Sequence, residues 1–151
     1  MKTTLLHWRC QSFDALSPRA LHDLLRLRSE VFVVEQRCLF LDLDGADPDC
    51  WHLCGEADGR LLAYARLVPA GLKFTEASIG RVVSDPATRG SGLGHALMAQ
   101  AVRELHTLWG EQPIRIGAQA HLAGFYRAHG FEPEGAGYDE DGIPHVQMLR
   151  R

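Results

Sequence analysis

Arg89-Gly90-Ser91-Gly92-Leu93-Gly94 decides the fold, because of what flanks it. Before it, Ala77-Ser78-Ile79-Gly80-Arg81-Val82-Val83-Ser84 has the composition of a strand. After it, Leu93 to Trp109 carries apolar residues at helical spacing and predicts a long amphipathic helix. A strand, a glycine-bearing turn and a helix start together form an anion cradle. Glycine lets the backbone approach a ligand closely, and the first N–H groups of a helix have no partner inside it. The helix dipole places partial positive charge at the same point, which suits a phosphate. Arg89 adds a fixed charge beside it.

The surrounding chain agrees with one mixed α/β domain spanning residues 1–151. Ser17-Pro18 is a helix start, serine as N-cap and proline in the first turn. Leu21, Leu24, Leu25, Arg28, Val31 and Phe32 continue it on a mostly apolar face. Thr4 to Gln11 is an opening strand. Trp51–Glu56 and Arg60–Val68, joined at Asp58-Gly59, read as a hairpin. Ile114 to Ala118 is a buried strand, Gln119 to His129 a short helix closed by Gly130. Strands around Phe131–Tyr138 and His145–Leu149 flank a turn at 139–142. The front half is therefore antiparallel, and the strand–helix–strand–helix unit behind it is expected to be parallel.

Composition limits the function classes. The 151 residues are 46% hydrophobic and 23% charged, as in an ordinary water-soluble domain, with a net charge of −3. No basic run points to nucleic acid. The N-terminus has no signal-like apolar run and nothing is long enough to span a bilayer, so no membrane partner and a cytoplasmic location are expected. Cys10, Cys38, Cys50 and Cys54 form no disulfide framework. Cys50, His52 and Cys54 share one face of a strand, yet no CxxC pair supports a metal site, and none is expected. Asp42, Asp44, Asp47 and Asp49 are too irregularly placed for a calcium loop. They read as a solvated acidic segment within the irregular stretch Gln36 to Asp49, and Arg81 reads as half of a partly buried ion pair.

The glycine turn lacks the spacing of a dinucleotide fingerprint and the Gly-Lys-Ser/Thr of a P-loop. What remains is a diphosphate cradle without a ribose reader or a magnesium ligand. A ligand anchored there keeps its reactive end elsewhere.

Arg89-x-x-Gly92-x-Gly94, preceded by Val82-Val83-Ser84-Asp85-Pro86, resembles the acetyl-CoA motif of the GNAT N-acetyltransferase superfamily. Ala118-Gln119-Ala120-His121-Leu122 through Phe125-Tyr126-Arg127-Ala128-His129-Gly130-Phe131 resembles its second motif. Val31-Phe32-Val33-Val34-Glu35-Gln36, Asp42-Leu43-Asp44-Gly45 and Glu140-Asp141-Gly142-Ile143-Pro144-His145 resemble ElaA-like proteins within it. The resemblance implies a GNAT fold, a mixed and mostly antiparallel sheet splayed at the cofactor site and flanked by helices. It implies that the backbone of Val82, Val83 and Ser84 holds the pantetheine arm and thioester of acetyl-CoA. Arg89, Gly90, Ser91, Gly92, Leu93 and Gly94 would hold the diphosphate. Gln119 stands where many relatives carry asparagine, and its longer amide is expected to bond the pantetheine arm.

The implied reaction is direct attack of a primary amine, on a small molecule or a peptide, within a ternary complex. Tyr126 is the expected acid for the departing sulfur, since a phenol stays protonated at neutral pH. Glu35 and His145 are the candidate bases. Histidine titrates nearest neutrality, and Glu35 ends an apolar run where desolvation raises a carboxyl pKa. His121 is expected to be structural; His52 faces either the pocket or the core. A homodimer is expected without a sequence feature that demands it. The competing classes are a non-catalytic acyl-CoA sensor and, more remotely, a nucleotide-binding oxidoreductase.

Overall fold

A computed structural model describes residues 6–151. Its elements are β1 (His7–Ser12), α1 (Pro18–Arg28), β2 (Trp51–Ala57), β3 (Arg60–Val68), β4 (Ser78–Ser84), α2 (Leu93–Trp109), β5 (Ile114–Gln119), α3 (Ala123–Arg127), β6 (Glu132–Pro133), β7 (Tyr138–Glu140) and β8 (Ile143–Arg150). The first two residues of the expected opening strand, Thr4 and Leu5, lie outside the described residues.

Strands β1 to β4 form an antiparallel meander. Its centre obeys the period of two that a sheet covered on both faces requires. Ala63, Ala65 and Leu67 of β3 point into the main core with Leu53 of β2, against Leu97, Met98, Ala101 and Leu105 of α2. Tyr64, Cys54 and Val83 point the other way, against Leu24, Leu27 and Val31. Helices thus cover opposite faces, α1 on one and α2 on the other. The β2–β3 reversal uses Asp58 and Gly59, both at positive φ (52° and 74°), the conformation a two-residue hairpin favours. Gly55 is small for a different reason. A Cβ there would lie 2.6 Å from the Trp8 ring, which covers it from β1.

A second sheet sets β8 between β5 and the short β6, with β7 also pairing β8. The two sheets meet where β4 begins. Ala77 and Ile114 form a single parallel bridge, and the Arg115 amide donates to the Ala77 carbonyl at 2.9 Å. Arg115 also clamps this end by side chain. Its Nε and Nη2 reach Glu76 at 3.0 and 3.1 Å, and Nη2 reaches Glu134 at 2.8 Å. Beyond the clamp β4 and β5 pair no further. The expected parallel unit is therefore parallel at one bridge only.

Two local departures from the sequence reading shape the site. After Arg28 the first helix widens into π-type turns over Ser29–Glu35, with the Gln36 amide bonded to the Val31 carbonyl five residues back. In place of a helix over 119–129, β5 runs through Gln119, a tight turn spans Ala120–Leu122, and only Ala123–Arg127 is α-helical.

Candidate active site

The divergence of β4 from β5 opens a cavity of about 500 Å³. A bulge in β4 steers it. Tyr64 faces Val83 and Arg66 faces Gly80, so β4 spends one residue more than β3 over the same stretch. Arg81 sits in that bulge at φ 52°. From Arg81 to Ser84 the outer edge of β4 has no strand beside it, and these four residues form one wall; Gly117 and Gln119 of β5 form the opposite one.

The sequence-predicted residues converge here apart from the five of the glycine turn. Val82, Val83, Ser84, Arg89, Gln119, Tyr126, Glu35 and His145 all line the cavity. Gly90, Ser91, Gly92, Leu93 and Gly94 lie beyond Arg89, outside the lining. Gly90 and Gly92 take positive φ (81° and 83°), and Gly92 is the N-cap of α2. The Leu93 amide is taken by the Ser91 hydroxyl at 3.3 Å. The amides of Gly92, Gly94 and His95 make no hydrogen bond among the described residues. Three donors at a helix start are thereby left for an anion, which is the chemistry a diphosphate requires.

Tyr126 is 9% exposed. Phe125 and Phe131 pack edge-on against its ring at 81° and 74°. Its hydroxyl has no hydrogen-bond partner among the described residues. Burial pushes its pKa up to about 12, so the phenol is neutral throughout the physiological range.

His145 is buried on β8, opposite Gln119 of β5. Its Nδ1 lies 2.7 Å from the Ile143 carbonyl, which accepts from it, so Nε2 is the nitrogen turned to other partners. Nε2 is 3.4 Å from a Glu140 carboxylate oxygen.

Glu35 departs from expectation. It is bound by Arg89, whose Nη1 donates at 2.9 Å while Nη2 donates to the other carboxylate oxygen. The guanidinium holds the Glu35 carboxyl below its ordinary range. The desolvation expected from the apolar run is overridden, because the wide helical turn carries this side chain out to the cavity mouth.

The acidic segment is a second correction. Asp42 and Asp47 are 4% and 5% exposed. Fully buried Arg28 donates to Asp42 at 2.9 Å and to Asp47 at 2.8 Å. Arg66 forks onto Asp44 with two bonds of 2.9 Å and reaches Asp47 at 3.0 Å. Arg81 pairs with Asp42 at 2.9 Å, as its reading as an ion-pair residue anticipated. This network anchors the 36–49 segment, so that Cys38 and Phe40 become cavity wall. Buried charges persist only when paired in this way.

His52 belongs to the core. It is fully buried, one ring nitrogen 2.6 Å from the Tyr64 hydroxyl and the other 3.0 Å from the Asp47 carbonyl. Both nitrogens are thereby occupied. Burial pushes the Cys50 and Cys54 thiols up to about 11 and about 12. Among the described residues no group of three or more His, Cys, Asp or Glu side chains is placed to hold a metal ion. His121, read as structural, is also among the residues lining the cavity. Cys38, Phe40, Glu140 and Asp141 also line it, unanticipated as site residues. The one available signal was the tail stretch 140–145, quoted above for resemblance alone. Among the described residues no helix is long and apolar enough to cross a membrane.

Comparison with known proteins places this geometry. The profile of the acetyltransferase (GNAT) domain matches residues 46–151. UPF0039 protein sll0451 of Synechocystis is 43% identical over 147 residues, covering 97% of this chain and 96% of that protein. Protein ElaA of Escherichia coli is 40% identical over 148 residues, covering 97% of each chain. The crystal structure of an acyl-CoA N-acyltransferase from Pseudomonas aeruginosa superposes with a TM-score of 0.93 at 44% identity, over 97% of this chain and 100% of that one. That of Escherichia coli ElaA superposes with a TM-score of 0.91 at 39% identity, over 97% and 100%. By profile, by identity over nearly its whole length and by fold, the chain belongs to the GNAT acetyltransferase family, alongside ElaA and the UPF0039 proteins.

Proposed function

We propose that the protein transfers an acetyl group from acetyl-CoA to a primary amine, of a small molecule or a peptide, by direct attack in a ternary complex. Family membership supports acyl transfer from acyl-CoA. The observation that carries the finer reading is the split between β4 and β5, with a buried neutral phenol inside it and free helix-start amides at its mouth. The residues fit the coenzyme. Arg89 and the turn through Gly94 suit a diphosphate, and the unpaired edge at Val82, Val83 and Ser84 offers backbone groups to an amide-rich arm. The Gln119 amide, now 3.4 Å from Gln36, is free to exchange partners.

The amine arrives protonated. His145 or Glu35 takes one proton, and the nitrogen lone pair forms a C–N bond to the thioester carbonyl as the C–S bond breaks. Tyr126 gives its proton to the sulfur and is restored by the second proton lost from nitrogen. One proton is released per turnover. The exposed apolar residues Val34, Leu39 and Leu41, beside the mouth, support the homodimer expected from the sequence. A cytoplasmic setting belongs to the same reading.

The test is release of coenzyme thiol from acetyl-CoA across a panel of primary amines. Turnover with any amine supports the reading. Tight coenzyme binding without turnover on any of them would leave the sensor role instead.

A further inference from the structure

We propose that Glu35 and Arg89 form a latch across the mouth of the cavity, closed in the free protein and opened by the coenzyme's diphosphate, so that Glu35 is delivered to the acceptor side only after the coenzyme has bound. The proposal rests on the acyl-transfer reading above and adds an order of events to it.

The two residues stand 54 positions apart and come from different walls, Glu35 from the widened end of the first helix and Arg89 from the glycine turn. Their bonding is fork on fork, with Nη1 and Nη2 each on its own carboxylate oxygen. Both oxygens of Glu35 are thus consumed, and so is the guanidinium edge best suited to a phosphate. Arg89 cannot serve a diphosphate with that edge while Glu35 holds it. Binding therefore exchanges one anion for the other.

The balance favours the coenzyme. The ion pair is solvent-exposed, with side chains 53% and 39% accessible, and exposed pairs of this kind are weak. A diphosphate carries more charge and gains the amides of Gly92, Gly94 and His95 as well. Released, Glu35 finds no other free arginine in the cavity, because Arg81 is held by Asp42 and Asp44. Its neighbours across the cavity are Glu140 and Asp141, so a cation is the partner this wall would accept. Departure of Arg89 also removes what holds the Glu35 carboxyl low. The free protein thus neutralises its own acceptor wall, and the coenzyme uncovers it.

Calorimetric titration of coenzyme A into wild type, Glu35→Gln, Arg89→Gln and the double variant tests this. Glu35→Gln should bind coenzyme A about 2- to 5-fold more tightly, the equivalent of one exposed ion pair no longer broken. Arg89→Gln should bind more weakly, and adding Glu35→Gln to it should give no further gain. A rise in affinity is a readout that mere structural damage could not produce. Equal or weaker binding by Glu35→Gln, or the same gain in the Arg89→Gln background, overturns the latch while leaving acyl transfer intact. Failure of the wild type to bind coenzyme A overturns both.

Discussion

Tyr126 shows how much chemistry one side chain inherits from its surroundings. Phe125 and Phe131 exclude water from its ring, and burial alone moves its pKa to about 12. An acid that never ionises under assay conditions contributes to the bond-breaking step and not to coenzyme binding. Tyr126→Phe is therefore expected to lower kcat by about 10²- to 10⁴-fold while leaving the Kd for coenzyme A unchanged. Steady-state kinetics with calorimetry check this, and equal activity in the variant would remove Tyr126 from the mechanism. Gly92 makes the complementary case. At φ 83° it holds a conformation that side chains resist, directly at the helix start. Gly92→Asp adds strain and a negative charge there and should weaken coenzyme A by about tenfold or more, measured by the same titration. Gly92 was legible because its signal is local, a glycine pattern before a helix; Tyr126 was legible only through the resemblance of residues 118–131 to a known motif, since an aromatic beside Phe125 reads by itself as core. Glu35 was only half legible. Its place at the site followed from the sequence, but its partner Arg89 lies 54 residues on, and an apolar run before a carboxylate says nothing of a distant guanidinium.

Among the elements, α2 emerged with the bounds Leu93–Trp109 that its apolar spacing predicts, and the 51–68 hairpin turned where Asp-Gly demands. The 36–49 segment did not yield to the same reasoning. Four aspartates in an irregular stretch look solvated when read alone, as Asp49 is. The burial of Asp42 and Asp47 and the pairing of Asp44 depend on Arg28, Arg66 and Arg81, which lie 14 to 39 residues away on other elements. The anchor is costly to break. Arg28→Met removes the fully buried partner of Asp42 and Asp47 and should lower stability by about 3–5 kcal/mol, read from urea unfolding. A loss under 1 kcal/mol would show that Arg66 and Arg81 suffice. The wall carrying Cys38 and Phe40 should loosen with it, visible as faster amide exchange across residues 38–44.

For the molecule as a whole, two buried groups contribute to the response to acid. Burial pushes the His52 pKa down, and its bond to the Asp47 carbonyl and the nearby Asp47 carboxylate only partly offset this. The unfolded chain, titrating near pH ~6.5, then binds a proton that the folded chain refuses, so stability falls as pH drops below that value. Asp47 acts lower. Burial pushes its carboxyl up, yet the Arg28 and Arg66 guanidiniums more than compensate and hold it below its ordinary range. Its contribution is present above about pH 4 and is lost as pH falls through the folded value. Urea midpoints at pH 7.5, 5 and about 2.5 should therefore decline in two stages, the first as the unfolded imidazole takes its proton and the second below about pH 4. A flat response from 7.5 to 5 would mean that His52 accepts its proton in the folded state.

The splay itself was foreseeable only through resemblance. Nothing in residues 77–84 or 114–118 reveals that they pair at one bridge and then part; the Arg115 clamp and the β4 bulge decide that in three dimensions. Since the split defines the site, a crystal structure of the coenzyme A complex is its most direct test. The diphosphate is predicted on the amides between Arg89 and His95, and the thiol between β4 and β5 within reach of the Tyr126 hydroxyl. A diphosphate bound anywhere else on the molecule, or a thiol outside that split, would contradict the account.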